Sequence, residues 1–193
     1  MPSNVQSESS QISPTGIWPV EYNKYHVTNN VLKRYITSIL PRATPVYDFG
    51  CGMGTYMKYL MSHGYKCTGY EGTYQKNDLP IKQQDITIEL PPPESKGSVL
   101  CLEVMEHIPS NLEKTTLDNI NNHCDTYLIL SWAIPDQPGI GHINCRSEQY
   151  TITTLSRYGF IYQRNDTQVI RNKINKSNKQ VCFKKSLYIF KRC

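Results

Sequence analysis

The chain has 193 residues, a net charge of +5 and 38% hydrophobic residues, enough for one domain with a full core. No apolar run reaches the ~18 residues of a membrane span, and the Ser/Gln/Pro-rich start, Met1 to Thr15, lacks the basic and apolar segments of a secretory signal. Seven scattered cysteines with no Cys-x-x-Cys pair argue against a disulfide framework and a cysteine zinc site, and point to a reducing compartment such as the cytoplasm.

Residues 1–15 are expected to be a flexible tail and 16–193 a single domain. Val27 to Leu40 places Val31, Leu32, Tyr35, Ile36, Ile39 and Leu40 at helical spacing, with Pro41 as the stop. Pro45 to Phe49 is a short strand, Gly50 to Gly54 a glycine turn, and Thr55 to His63 a helix closed by Gly64. Strands are expected at Lys66–Tyr70, Ile81–Asp85, Ser98–Leu102 and Thr126–Trp132, with a helix at Asn111–His123. A loop, Ala133 to Arg146, leads into a helix from Ser147 to Tyr158 that Gly159 stops. Phe160–Arg164 and Val181–Phe190 are the last strands, joined by a polar, basic connection. Strands alternating with helices imply a mostly parallel seven-stranded sheet with helices on both faces. The closing pair suggests an antiparallel C-terminal hairpin at one edge.

Charge is uneven along this order. Up to Gln163 there are 12 basic and 15 acidic residues; from Arg164 onward there are 9 basic residues and one acid, Asp166. A basic end could meet an anionic partner through Arg171, Lys173, Lys176 and Lys179. No aromatic residue interleaves the charges in Arg171–Gln180, as base stacking would want, so a solvated edge strand and loop is the preferred reading.

The strand, glycine turn and helix carry the first chemical signal. Glycines allow close backbone approach to a ligand, and the helix start offers free N–H groups. Asp48 precedes the turn. Glu71 ends the next strand, where a carboxylate can accept both hydroxyls of a ribose, and Asp85 ends the third. Ligands in such sheets bind outside the carboxyl ends of the strands, so all three acids should share one crevice.

Val46-Tyr47-Asp48-Phe49-Gly50-Cys51-Gly52-Met53-Gly54 resembles the first motif of the class I S-adenosylmethionine-dependent methyltransferases, which have a Rossmann-like fold. Gly69-Tyr70-Glu71-Gly72, Gln84-Asp85-Ile86 and Cys101-Leu102-Glu103-Val104 are similar to the next three, in the same order. The resemblance implies S-adenosyl-L-methionine as cofactor, with Glu71 and Gly72 at the ribose and Asp85 and Ile86 at the adenine. Gly50, Cys51 and Gly52 would lie at the methionine part, Asp48 near its amino group, and Glu103 at the same site. A nicotinamide dehydrogenase uses similar logic, but the Gly-x-Gly-x-x-Gly spacing is lacking.

Glu103-Val104-Met105-Glu106-His107 follows the fourth strand. It could simply shape a loop. Two carboxylates and an imidazole within five residues could also converge on a divalent ion. The segment resembles the metal-binding Glu-x-x-Glu-His of ubiquinone-pathway O-methyltransferases and of small-RNA 2′-O-methyltransferases. In the latter a later histidine completes the site, and His142 is the matching candidate here. The resemblance implies Glu103, Glu106, His107 and His142 around Mg²⁺ or Mn²⁺, with His107 and His142 the candidates for a general base. Trp18, Tyr22, Tyr25, His26 and Trp132 are expected near the crevice, where aromatic faces suit a sugar ring or a flat base.

The expected activity is O-methylation of a sugar or glycan hydroxyl, metal-assisted. Ser131 to Gly139 weakly resembles a loop of the rhamnose-methylating domain of green-algal viruses, which would place the chain in a host cytoplasm. An RNA ribose 2′-O-methyltransferase, a catechol O-methyltransferase and a non-catalytic cofactor-binding activator subunit are the alternatives. A small molecule or glycan is the favoured partner, and nucleic acid the less favoured one.

Overall fold

The structure, a computed structural model, describes residues 11–26, 28–176 and 182–193. Most of the expected tail, Val27 at the expected helix start, and Lys179 and Val181 lie outside the described residues. A 3-10 helix, Val20–Tyr25, precedes α1 (Asn30–Ile39), whose start is capped by Asn29 accepting from Val31 N and Leu32 N. Then follow β1 (Val46–Phe49), α2 (Thr55–Met61), β2 (Cys67–Glu71), β3 (Ile81–Gln83), β4 (Gly97–Cys101), α3 (Glu113–His123) and β5 (Cys124–Ser131). The chain closes with α4 (Glu148–Arg157), β6 (Phe160–Tyr162), α5 (Arg164–Lys176), α6 (Phe183–Ser186) and β7 (Leu187–Arg192).

The seven strands lie in the order β3-β2-β1-β4-β5-β7-β6. β1 to β5 are parallel, and β7 runs antiparallel to both β5 and β6. The expected mostly parallel sheet with antiparallel C-terminal strands is what the chain forms. The order reverses between β1 and β4, which opens a crevice beyond their carboxyl ends. β1 and β4 are buried along their whole length, as central parallel strands must be. One core layer, with Phe49, Leu117, Ile120, Trp132 and Phe190, lies on the α3–α4 face; the other, with Leu32, Ile36, Met57, Ile170 and Phe183, lies on the α1–α2–α5 face.

The connection between β6 and β7 differs from the expectation. Most of it is the helix α5, which buries Thr167, Ile170, Arg171 and Ile174. Those positions keep helical spacing, but two of the four are polar, so apolar periodicity alone misses the helix. Arg171 is thereby removed from any phosphate-binding face. Its Nε donates to Leu187 O and its Nη1 to Glu148, each at 2.8 Å. The expected strand at Val181–Phe190 likewise begins only at Leu187, after α6. Among the described residues, no helix is long and apolar enough to cross a membrane.

Asn119 on α3 holds down the segment between β3 and β4. Its side chain donates to Ile86 O at 2.9 Å and Ile88 O at 2.6 Å, and accepts from Leu90 N at 2.9 Å. Asn119→Leu leaves these three backbone groups without that partner, and should destabilise the fold by about 2–3 kcal/mol in urea titration.

Candidate functional site

The crevice holds a cavity of about 440 Å³. Asp48, Gly50 and Cys51 of the first turn line it, with Glu71 and Gly72 from the end of β2 and Asp85 and Ile86 from beyond β3. Leu102, Glu103, His107, Gly139 and His142 also line it, and Gly16, Ile17, Trp18, Tyr25 and His26 come from the N-terminal segment. Four acids line this space, and among the described residues no lysine or arginine does.

Of the residues expected to bind the cofactor, all but Gly52 stand on the wall. Gly52 instead braces the turn: its N–H donates to Glu71 Oε2 at 2.8 Å. Its φ of +52° suits glycine, and a β-carbon there would collide with the His26 ring. Glu71 Oε1 accepts from Thr73 N at 3.2 Å, so both its oxygens are oriented before any ligand arrives. Asp85 Oδ1 is held by Thr87 N at 2.8 Å and Thr87 Oγ1 at 2.7 Å.

Burial sets the protonation of this wall. The Asp48 carboxyl is pushed up to about 8, first by burial and then by the nearby Glu71 charge. Burial also raises Glu71 and Glu103, against the hydrogen bonds that each accepts.

The Glu103–His107 segment divides into two groups. Glu106, His107 and His142 bring one ligand atom each to within 4.8 Å of one another. Glu106 is fully buried and outside the cavity lining; backbone N–H groups of Val104, Glu106 and Ala133 face its carboxyl, but neither oxygen makes a well-formed hydrogen bond among the described residues. Its pKa is driven well up, by burial and then by Glu103. His107 Nδ1 lies 3.0 Å from Gly141 O, and His142 Nδ1 lies 3.1 Å from Gln137 O. A carbonyl only accepts, so each Nδ1 carries a proton. Burial pulls His107 down to about 4, which keeps it neutral. His142 Nε2 stands 3.9 Å from Glu106 Oε1. Gly139 packs directly on the His142 ring, where a β-carbon would collide with it.

Glu103 does not join the cluster, contrary to the sequence expectation. Its φ of +57° turns the residue onto the end of β5, where Ser131 Oγ donates to Glu103 Oε1 at 2.8 Å. Nothing in the Glu-x-x-Glu-His spacing signals that left-handed turn. Trp132 also departs from expectation: it is fully buried in the core, its indole N–H donating to Asn144 O at 2.7 Å. Trp18, by contrast, sits edge-on to His107, with ring centroids 4.9 Å apart, and Tyr22 packs on Trp18 rather than on the cavity. Sequence reasoning missed Ile17, which covers Gly72, and Cys182, which reaches the wall from the start of α6. Neither carries a motif that could have flagged it.

No protein-family model matches the chain, and no curated protein matches it. Solved structures do. Magnesium protoporphyrin IX methyltransferase from Synechocystis, with bound S-adenosylmethionine, is 18% identical over 90% of each chain, with a TM-score of 0.59. A TehB-like methyltransferase from Corynebacterium glutamicum is 15% identical over 89% of this chain and 92% of that one, with a TM-score of 0.62. The cyclase SpnF is 11% identical over 83% and 79%, with a TM-score of 0.58. The chain thus has the Rossmann-like fold of S-adenosylmethionine-dependent methyltransferases, a fold that also serves a cyclase; what it does must be argued from the site.

Glu106 gives a test of whether this cluster is built for stability. A buried carboxyl without a well-formed hydrogen bond burdens the fold, and increasingly so as pH rises above the ~4.3 at which the unfolded chain ionises it. Glu106→Met should therefore stabilise the metal-free protein by about 1–2 kcal/mol, with a larger gain at pH 8 than at pH 5. A loss of stability in thermal melts would mark Glu106 as a structural group.

Proposed function

We propose that the chain is an S-adenosylmethionine-dependent O-methyltransferase acting on a sugar or glycan hydroxyl, assisted by a divalent ion. The observation that carries the reading is the charge of the cavity. Its wall offers carboxylates and no lysine or arginine among the described residues, although the chain as a whole is positive. A low-dielectric acidic wall attracts cations and repels phosphates. S-adenosylmethionine carries a sulfonium and an ammonium that suit carboxylates, whereas the pyrophosphate of a nicotinamide dinucleotide would find no lysine or arginine on the described wall. When bound, it supplies the methyl group. Glu71 would take the ribose, Asp85 and Ile86 the adenine, and Gly50 and Cys51 the methionine part. Asp48 and Glu103 would face the ammonium.

Glu106, His107 and His142 fit a hard divalent ion such as Mg²⁺ or Mn²⁺. The carboxyl makes no well-formed side-chain hydrogen bond, each imidazole has its Nε2 free of a backbone partner, and backbone carbonyls hold both Nδ1–H groups in the manner of outer-sphere supports. A bound ion would lower the pKa of an acceptor hydroxyl and orient it. His107, at about 4, is too weak a base to take that proton itself near neutral pH, which favours its role as a ligand. Trp18, edge-on to His107, narrows the approach and offers an aromatic face to a sugar ring. A neutral vicinal diol suits this acid-rich wall better than an RNA end with its phosphates.

Two measurements test the reading. Asp48 is protonated below about pH 8 in the free protein, while an ammonium partner requires its carboxylate. Binding therefore releases a proton, and calorimetric affinity for S-adenosylmethionine should rise about tenfold per pH unit from pH 6 to 8 and then level off. Micromolar binding is expected at pH 8, and Asp48→Asn should abolish the slope. Affinity independent of pH would remove Asp48 from the ammonium. Separately, EDTA should abolish methyl transfer to a sugar acceptor without weakening cofactor binding, and Mn²⁺ should restore it. Full turnover in chelator would overturn the metal assignment.

A further inference from the structure

We infer that Glu113 is a positioning residue, which clamps the segment carrying His142 so that its imidazole stays against Glu106. This rests on the reading above only in giving His142 a task; the clamp is a feature of the fold. Glu113 opens α3, is buried, and lies outside the cavity. It accepts four hydrogen bonds, all from residues just after His142. Asn144 Nδ2 donates at 3.1 Å, Arg146 Nε at 3.2 Å, Arg146 Nη2 at 2.9 Å and Tyr150 OH at 2.6 Å. Charged acceptors of this kind are the stronger hydrogen bonds, and the first turn of a helix further favours a carboxylate.

The clamp reaches His142 along a short path. Ile143 N and Asn144 N both donate to Glu106 O, at 2.9 and 3.0 Å, so the backbone beside His142 is tied to the residue that its ring faces. Trp132 Nε1 fixes Asn144 O from below, at 2.7 Å, and Arg146 N donates to Ala133 O at 2.9 Å. On the upstream part of its own loop, the ring meets Gln137 O and packs on Gly139. The downstream side is therefore the better-anchored one, and Glu113 is where its side-chain bonds converge. A loop of 16 residues between β5 and α4 could otherwise place an imidazole in many positions.

The decisive readout is the ¹⁵N–¹H imidazole spectrum of the full metal-free chain. In the native protein His142 should show a protonated, hydrogen-bonded Nδ1. Buried His123, held by Asn119 O at 2.8 Å and Tyr70 OH at 3.0 Å, is the internal control. In Glu113→Ala the His142 nitrogens should move to the averaged values of a free imidazole while His123 is unchanged. Arg146→Met and Tyr150→Phe, at half-exposed and exposed positions, should give the same change in smaller degree, and they decide the matter if Glu113→Ala does not fold. Mn²⁺ affinity of Glu113→Ala should fall about 10–100-fold, as for other outer-sphere supports, with binding of S-adenosylhomocysteine within twofold of native. An unmoved His142 spectrum in folded variants overturns the clamp. Should the native chain bind no Mn²⁺, the metal reading fails, and the imidazole spectrum still decides the role of Glu113.

Discussion

Carboxyl groups gathered at the ends of parallel strands, out of water and, among the described residues, without a lysine or arginine beside them on the wall, set the terms for the rest of this site. Asp48, Glu71 and Glu106 are buried, Glu103 is half-buried, and all four are shifted toward the neutral form by their surroundings. Isolated charges in such a place are costly. The free protein meets the cost partly by protonation and partly by hydrogen bonds, as where Glu71 accepts from Gly52 and Thr73. Glu106 stays well raised by burial and by Glu103, an effect that the backbone groups at Val104, Glu106 and Ala133 only partly offset. Under the proposed function, acids retained there would trade stability for a capacity to receive cations.

The neighbouring loops serve that arrangement by bringing backbone into close approach. Gly139 lets the His142 ring lie flat on the chain, and Gly141 O takes the Nδ1 proton of His107. Across the cavity, Ile17 lies on Gly72 and His26 on Gly52, so the N-terminal segment touches both strand ends that would carry the cofactor. Trp18 extends the same segment to His107. The strand ends proposed for the cofactor and the histidines proposed for the acceptor thus share one cover.

Much of this was legible in the sequence because strand-end motifs are local. The spacing from Asp48 through the glycines to Glu71 specifies a strand, a turn and the next strand end, and β1, α2 and β2 formed where that spacing put them. His142 was legible only through a resemblance, and the fold brings it beside Glu106. What escaped depends on features that periodicity does not encode. Glu103 stands apart from the Glu106–His107–His142 cluster through a left-handed backbone turn. Trp132 turns into the core because Asn144 O offers its indole an acceptor. Helix α5 was hidden by polar Thr167 and Arg171 in its buried stripe. Glu113 gave no sign at all, since its partners lie more than 30 residues away in sequence.

The central claim, that one acidic cavity holds a cationic methyl donor beside a divalent ion, is tested most directly by a crystal structure with S-adenosylhomocysteine and Mn²⁺. The account predicts an anomalous peak bonded to Glu106, His107 Nε2 and His142 Nε2. It also predicts the nucleoside ribose on Glu71, with the amino group between Asp48 and Glu103. A metal-free triad at saturating Mn²⁺, or a nucleoside bound away from Glu71, would contradict it.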